Sequence, residues 1–491
     1  VPYKHGTQGN IGDSKAASAA QASTVAVYVG TAPINLVRGY ADAGLINNPV
    51  RVSNMPDAQV RLGYSTDWDA YTLCEAFAAH FDNTVGNVGP IHIINVLDPD
   101  VHKEALPTTD TVTFSAGRGE LKSDTVIIDT FVIADKVEGV DFKMEYNYTK
   151  GALVITSLKS DAQLTGEVSV SFSEIDKTKV VAADIIGGAT SDGEYTGLAS
   201  LSKLYQNSNA VTNIIAAPGW GETPSVYTAM VSASQKINGH WDAFVITDIP
   251  IMDGVTAVDT ITKAKAWKVE KGYTSERSKV CWPMGMDGNG RIFHLSTIAV
   301  ATMLRTDNSH DSIPMESPSN KQIAITKQYF GADSKNQGYD QQTGNQLNET
   351  GITTAVYWGG KFVLWGPHTA AFMYGGDVDP RAIFDVSMRM LMHITNSFQL
   401  EWGTTIDEPM STQLKDTIVN REQEKLDTLG GMNALIGNPV VEFLETANPL
   451  TNLVNGDFVW NVSATPTPPL KSASAIVRRR RQGFAAYFGG E

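Results

Sequence analysis

Asp379-Pro380-Arg381-Ala382-Ile383-Phe384-Asp385-Val386-Ser387-Met388 opens the stretch, residues 379 to 491, whose reading decides the fold. From Ile383 on, Met388, Leu391, Met392, Thr395 and Phe398 recur at the three-and-four spacing that lays one stripe of a helix on a core. A second helix is predicted from Glu408, with Pro409 in its first turn, through Leu414, Ile418 and Leu426 to a stop at Gly430-Gly431. The period then changes to two. Val440, Val441, Phe443 and Leu444 predict one strand, and Phe458, Trp460 and Val462 a second. Two helices and two strands make a small α+β unit with open sheet edges. Beyond Pro466, Pro468 and Pro469 an extended segment, Leu470 to Arg481, leads to the aromatic Gly483-Phe484-Ala485-Ala486-Tyr487-Phe488. A soluble monomer should not leave such a tail exposed, so a partner surface is expected for it.

Residues 379 to 491 resemble the C-terminal domain of contractile tail sheath proteins, the subunits that surround the tail tube of myovirus-type phages. Three other stretches agree. Tyr3-Lys4-His5-Gly6-Thr7 is similar to the family's N-terminal arm, Asn213-Ile214-Ile215-Ala216-Ala217-Pro218-Gly219 to a strand-to-loop passage of its central domain, and Ser317-Pro318-Ser319-Asn320 to a small motif that recurs there. The resemblance covers most of the chain except an insertion near residues 100 to 185, and it rests on the order of the stretches, since none is as specific as a metal-ligand set.

The resemblance implies an α/β subtilisin-like central domain with an inserted all-β module and a C-terminal α+β domain bearing strand-exchange arms. The corresponding segments are an arm at 1–23, the central domain at 24–99 and 186–376, the insert at 100–185, the C-terminal domain at 377–464 and a terminal strand and arm at 465–491. It implies a structural subunit without enzymatic activity, in a helical or ring-stacked homo-oligomer. Its partners would be a tail tube protein and the baseplate and tail terminator proteins, in a virion tail assembled in the bacterial cytoplasm. Contraction would drive the tube through a cell envelope by rigid-body movement, with energy stored at assembly. In strand addition the arms would carry Tyr3 and His5 at one end and Ile476, Val477, Arg478, Arg479, Arg480, Arg481, Phe484 and Tyr487 at the other. The acceptor strands would carry Val440, Phe443, Phe458 and Trp460. Because a strand alternates faces, half of the four arginines would meet carboxylates of an adjacent acidic subunit while Ile476 and Val477 anchor the segment. The sheath of a related injection or secretion system is the alternative, ahead of a divergent subtilisin-like hydrolase.

Composition agrees with a soluble assembly protein. The 491 residues exceed one core, so two to four domains are expected. A formal charge of -15 argues against nucleic acid or an anionic membrane as partner. Cys74 and Cys281, each in an apolar run, read as core residues, with no disulfide framework or zinc site. No signal segment is read at the start and no apolar run approaches the roughly 20 residues a bilayer demands, so the protein is expected to stay where it is made.

Along the chain, the small, polar residues 1 to 23 are expected to order on a neighbour. Val25 to Val29 and Ile91 to Leu97 read as buried strands, with a helix at 68 to 81 between them. Residues 107 to 180 show only alternation and predict an all-β sandwich, expected to face outward and to be dispensable for packing. The α/β rhythm resumes with strands at 213–217, 241–247, 279–284 and 361–365 and helices at 225–237, 256–271 and 292–305. Residues 306 to 350 read as a polar surface excursion.

A subtilisin-like protease needs a Ser on a Gly-Thr-Ser turn, a His as base and an Asp to orient it. No Gly-Thr-Ser occurs, and His5-Gly6-Thr7 lies in the arm, ahead of any Asp that could precede it in that family's order. His92, His294 and His393 fall in apolar elements and read as satisfied core groups. Gly219-Trp220-Gly221 lacks the residues of a phosphate cradle and Asp287-Gly288-Asn289-Gly290 lacks the closing Glu of a calcium loop, so both read as turns. No catalytic, cofactor or metal residue is expected.

Overall fold

Val25 to Val29 is apolar along its whole length because both faces of the strand are covered. In the computed structural model, which describes residues 24–160, 163–480 and 487–489, it belongs to an eight-stranded sheet. The strands are β1 (Ala26–Gly30), β2 (Val50–Val52), β3 (Ile91–Asn95), β4 (Ile214–Ala216), β5 (Phe244–Asp248), β6 (Ser278–Cys281), β7 (Ile352–Trp358) and β8 (Lys361–Trp365). Their order is β2-β3-β1-β4-β5-β6-β7-β8. From β3 to β7 every pairing is parallel; β2 and β8 close the two edges antiparallel. Helix α1 (Leu73–Phe81) and helix α2 (Leu295–Asn308) pack together and reach β1 and β5, and α2 is buried over nearly its whole length.

Several boundaries differ from the sequence expectation, each for a local reason. The helix expected from residue 68 starts at Leu73, because Asp67 folds the preceding residues into a turn through Ala70 N and Tyr71 N. The helix expected from 256 starts at Ile261: Thr256–Ala257 pairs with Met252–Asp253, and the Thr260 side chain caps the helix by accepting from Lys263 N. The helix expected at 292–305 lies at Leu295–Asn308, since Ile292–Phe293 is a strand on Met284–Met286. That small sheet also ends the strand expected at 279–284 at Cys281. The excursion at 306–350 is partly structured, with a helix at Gln341–Asn348 capped by Asp340 and packed on β7.

Between residues 108 and 172 two three-stranded sheets face each other, Thr108–Phe114 with Gly166–Phe172 and Val132–Ile133, and Arg118–Leu121 with Ala152–Ser157 and Phe142–Asn147. They enclose their own core, including Phe114, Phe131, Phe142 and Phe172, to which Leu36 is added from outside. The join to the central sheet is polar and specific. Asn35 Nδ2 donates to the carbonyls of Asp124 at 3.0 Å and Val126 at 2.9 Å, Tyr71 OH to that of Asp124 at 2.8 Å, and Ser65 Oγ to the Asp124 carboxylate at 2.7 Å. Lys177 bridges Asp67 and Asp124. The module is therefore not a free insertion. Deleting residues 107–180 with a short linker should cost the central unit the net worth of the hydrogen bonds that Asn35 and Tyr71 make to Asp124 and Val126, about 0.5–1.5 kcal/mol each. Deleting only 127–172, which retains Asp124 and Lys177, should lose less. Urea denaturation of the two variants would show the difference, and equal stability would mean that the join contributes nothing.

In the C-terminal unit, Pro380–Ala382 is a single 3-10 turn, and helix α3 proper is Asp385–Trp402. Helix α4 is Thr412–Gly431: the Ser411 hydroxyl accepts from Leu414 N and sets the start, so residues 408 and 409 lie ahead of it. It ends at Gly431, in the glycine pair expected to stop it, but neither glycine takes the left-handed conformation: Met432 caps the helix and Asn433 supplies that conformation at φ 62°. Strands β9 (Leu435–Glu442) and β10 (Asn461–Pro466) pair antiparallel, with an irregularity between Ile436 and Val440. Leu426, Leu429, Leu435 and Val441 form the core beneath them.

Candidate assembly interface

A two-stranded sheet is marginal by itself, so β9 and β10 stand because helices back them, α4 against β9 and α3 against β10. Among the described residues neither strand has a second ladder partner. The two free edges are unlike. On β9 the Gln423 side chain of α4 takes the place of a neighbouring strand: its Nε2 donates to the Pro439 carbonyl at 3.0 Å and its Oε1 accepts from Val441 N at 3.0 Å. No such side chain covers Asn461–Pro466 among the described contacts. Val440 and Val462 are exposed, as are Ile436, Leu444 and Val459.

Phe443, Phe458 and Trp460 are brought together, but differently from the expectation. They form an aromatic cluster with Phe398 of α3, with ring centroids 5.6 Å apart for Phe443 and Trp460 and 6.2 Å for Phe398 and Trp460, and all three are half-buried. The strand expected across 458–462 begins only at Asn461. The reason is Asn448, whose side chain donates to the Val459 carbonyl and accepts from Val459 N, each at 2.8 Å, so that this stretch is held by an amide and not by β9. Phe443 likewise lies one residue past the end of β9. Neither Gln423 nor Asn448 has a signal in the sequence apart from its polarity on a helix or in a loop.

The segment after the prolines has no ladder partner within the described chain. Residues 467–480 carry no regular structure, and Leu470, Ile476, Val477, Tyr487 and Phe488 are 85, 82, 91, 84 and 75% exposed. Arg478, Arg479 and Arg480 are exposed too. Tyr3, His5, Arg481 and Phe484 lie outside the described residues.

The crevice at the carboxyl ends of the parallel strands is where an α/β sheet usually holds a ligand or a reaction. Here it holds an ion cluster. His294, at the start of α2, has Nδ1 2.7 Å from Glu75 Oε2 and Nε2 3.4 Å from Glu222 Oε1, and its own N–H donates to Glu75 at 2.6 Å. It is a satisfied histidine, as its apolar neighbours suggest, with both ring nitrogens on carboxylates. Burial works against its charge, but Glu75 and Glu222 outweigh burial and hold its pKa well above the ordinary value. An imidazole kept protonated cannot take a proton from a hydroxyl. No serine or threonine hydroxyl is among its described hydrogen-bond partners. Serine-directed covalent probes should leave the protein unlabelled, and stoichiometric labelling of any one serine, read by intact mass, would contradict this. His92 departs from expectation: neither ring nitrogen has a described partner, and burial, then Arg51, lowers its pKa to about 4.

The same crevice predicts an unusual pH profile. Asp248, at the end of β5, is raised to about 7, first by burial. His80, His92, His368 and His393 are each lowered to about 4, first by burial. Between pH 4 and 6.5 the unfolded chain binds more protons at these four histidines than the folded chain, so stability should rise with pH despite the opposing Asp248. Above about pH 7 those histidines are mostly neutral in both states, whereas folded Asp248 in part and folded His294 still hold protons that the unfolded chain gives up, so stability should fall. Melting temperature should therefore peak at about pH 7, and Asp248→Asn should flatten the alkaline side. A melting temperature that climbs steadily to pH 8 would contradict this.

Asp287 accepts from Asn289 N and Arg291 N and pairs with the Arg291 side chain, so this carboxylate is used by its own turn. Among the described residues no group of His, Cys, Asp and Glu is arranged to hold a metal ion, and no helix is long and apolar enough to cross a membrane.

No family model matches the sequence. The chain is 27% identical over 471 residues to the tail sheath protein of Burkholderia phage BcepMu, covering 91% of this chain and 94% of that one. It is 25% identical over 321 residues to the major tail sheath protein of Serratia phage KSP20, covering 64% and 75%. Among solved structures it is similar to a chain of the contracted sheath complex of the extracellular contractile injection system PVC, with a TM-score of 0.55 at 10% identity, over 98% of this chain and all of that one. A chain of the anti-feeding prophage baseplate gives a TM-score of 0.54 at 12% identity with the same coverage. At those identities the two structures show a shared fold. The chain is thus similar in sequence to phage tail sheath proteins, and it shares the fold of chains from two contractile particles.

Proposed function

We propose that the protein is the sheath subunit of a contractile tail, polymerising with copies of itself around a tail tube and contracting to drive the tube through a cell envelope. The observation that carries this is the 27% identity to a phage tail sheath protein across 91% of the chain. Baseplate and tail terminator proteins would meet the ends of the polymer, in a virion tail assembled in the bacterial cytoplasm. The protein would have no catalytic role; the His294 ion cluster supports that reading. The parallel sheet with its covering helices supports a subtilisin-like central domain without the triad.

Linkage between subunits would run through strand addition. The exposed segment 470–480, which carries Leu470, Ile476 and Val477, follows directly on a sheet that is two-stranded among the described residues, and main-chain pairing on its edge would cover these side chains. The edge of β10 would be the readier acceptor, since β9 must first release Gln423. A sheath of an injection or secretion system is the second reading, favoured by the fold shared with PVC and the anti-feeding prophage. Electron micrographs of the concentrated, purified protein test the common part of both: tubes or stacked rings are expected, and discrete monomers with peptidase activity would favour a hydrolase.

A further inference from the structure

Between the C-terminal end of α1, the outer side of α2 and the loop at 287–291 lies a cleft of about 240 Å³. That is below the usual range for cofactor pockets and suited to a single side chain. Two arginines line it, and they are in opposite situations. Arg291 is matched, with NH1 2.5 Å from Asp82 and Nε 2.8 Å from Asp287. Arg305, on α2, is half-buried; its Nε is buried without an acceptor, and no carboxylate pairs with it among the described residues. Burial lowers its pKa with no acidic neighbour to offset it, and its charge helps keep the adjacent His80 neutral. Ile298, Ala301 and Ile325 supply an apolar wall beside the guanidinium. An uncompensated, partly desolvated guanidinium at an open cleft is costly unless a carboxylate arrives.

We propose that this cleft receives an acidic side chain from a neighbouring copy of the chain, its carboxylate on Arg305 and its methylenes against Ile298, Ala301 and Ile325. The proposal rests on the polymerising function above. A second copy is favoured because the chain carries 53 acidic against 38 basic residues, so its surface offers carboxylates in excess. The contact differs from strand addition in kind. It is a charge-assisted side-chain contact on the central unit, about which a subunit tied by its arms would be oriented.

Arg305→Leu tests it, with Arg305→Gln in reserve should the first fail to fold. The variant monomer should melt at or above the wild-type temperature, since a buried unpaired cation has been removed, while the polymer recovered by sedimentation should fall by about tenfold or more. Dilute, unpolymerised wild type should bind glutarate at millimolar concentration in a calorimetric titration, and Arg305→Leu should not. Unchanged polymer yield in the folded variant would overturn the proposal; with glutarate still bound to wild type, the cleft would be a site for a solute acid. If wild type forms no polymer at all, the sheath reading fails, and the glutarate titration then decides whether a carboxylate site exists without a neighbour to fill it.

Discussion

A chain cut after Pro469 should fold with the stability of the intact protein and fail to sediment as polymer. The folded unit loses little, because residues 470–480 are exposed and contribute no strand to any described sheet. The assembly loses its link. An added strand gives two main-chain hydrogen bonds at every other residue and lays Leu470 and Ile476 on one face of the sheet, and no side-chain contact replaces a row of paired amides. Removing residues 1–20 should have a similar effect if that end supplies the second linking strand. Changing Arg478, Arg479, Arg480 and Arg481 to Glu should weaken assembly less than either truncation, because the ladder survives and only charge complementarity is lost. Sedimentation of each variant beside the intact chain measures this. Long, stable tubes from the chain ending at Pro469 would mean that the arm is not the linkage.

Asp385→Ala should be among the most destabilising single substitutions in the molecule, at about 3–5 kcal/mol, because it strands a buried cation. Lys279 Nζ lies 2.8 Å from Asp385 Oδ2, and both side chains are fully buried. Lys279 also donates to Thr353 Oγ1 at 2.9 Å and to the carbonyls of Gly366 and His368 at 2.8 and 3.1 Å. One strand of the central sheet and the start of α3 thus share one charge network. A second buried pair, Arg389 with Asp307, ties α3 to α2, and Asn396 exchanges two hydrogen bonds with the Asp242 backbone. Replacing both members of the first pair, Lys279→Met with Asp385→Leu, should recover much of the loss, since no unpaired charge remains. Urea unfolding of the single and double variants checks this. A single variant within 1 kcal/mol of wild type would contradict the expectation. Because these contacts clamp α3 along three of its turns, the C-terminal unit should move with the central sheet rather than swing on α3.

The central strands were readable because they are buried on both faces: Val25 to Val29, Ile91 to Ile94 and Ile214 to Ala217 are apolar runs too short for helices. Element ends were less readable because the deciding residue competes with equally plausible neighbours. Pro409 suits a first turn, yet the Ser411 hydroxyl sets the start of α4; Gly430 and Gly431 suit a stop, yet Asn433 supplies the left-handed turn. The acceptor sheet was legible as a place and not in detail. Phe458 and Trp460 alternate as a strand would, but Asn448 captures Val459 and sends both rings into a cluster with Phe443. Asp385, Arg389 and Arg305 look like ordinary charges on helical faces. Their burial is set by contacts far away in the chain, which periodicity does not encode. The same holds for His294, whose apolar neighbours conceal Glu75 and Glu222.

A reconstruction of the assembled polymer, at a resolution that separates strands, tests the central claim most directly. The account predicts that residues 470–480 of one subunit lie as an added strand on the two-stranded sheet formed by Leu435–Glu442 and Asn461–Pro466 of another. Tubes in which that sheet remains two-stranded, with the segment running free or folded back on its own subunit, would contradict it.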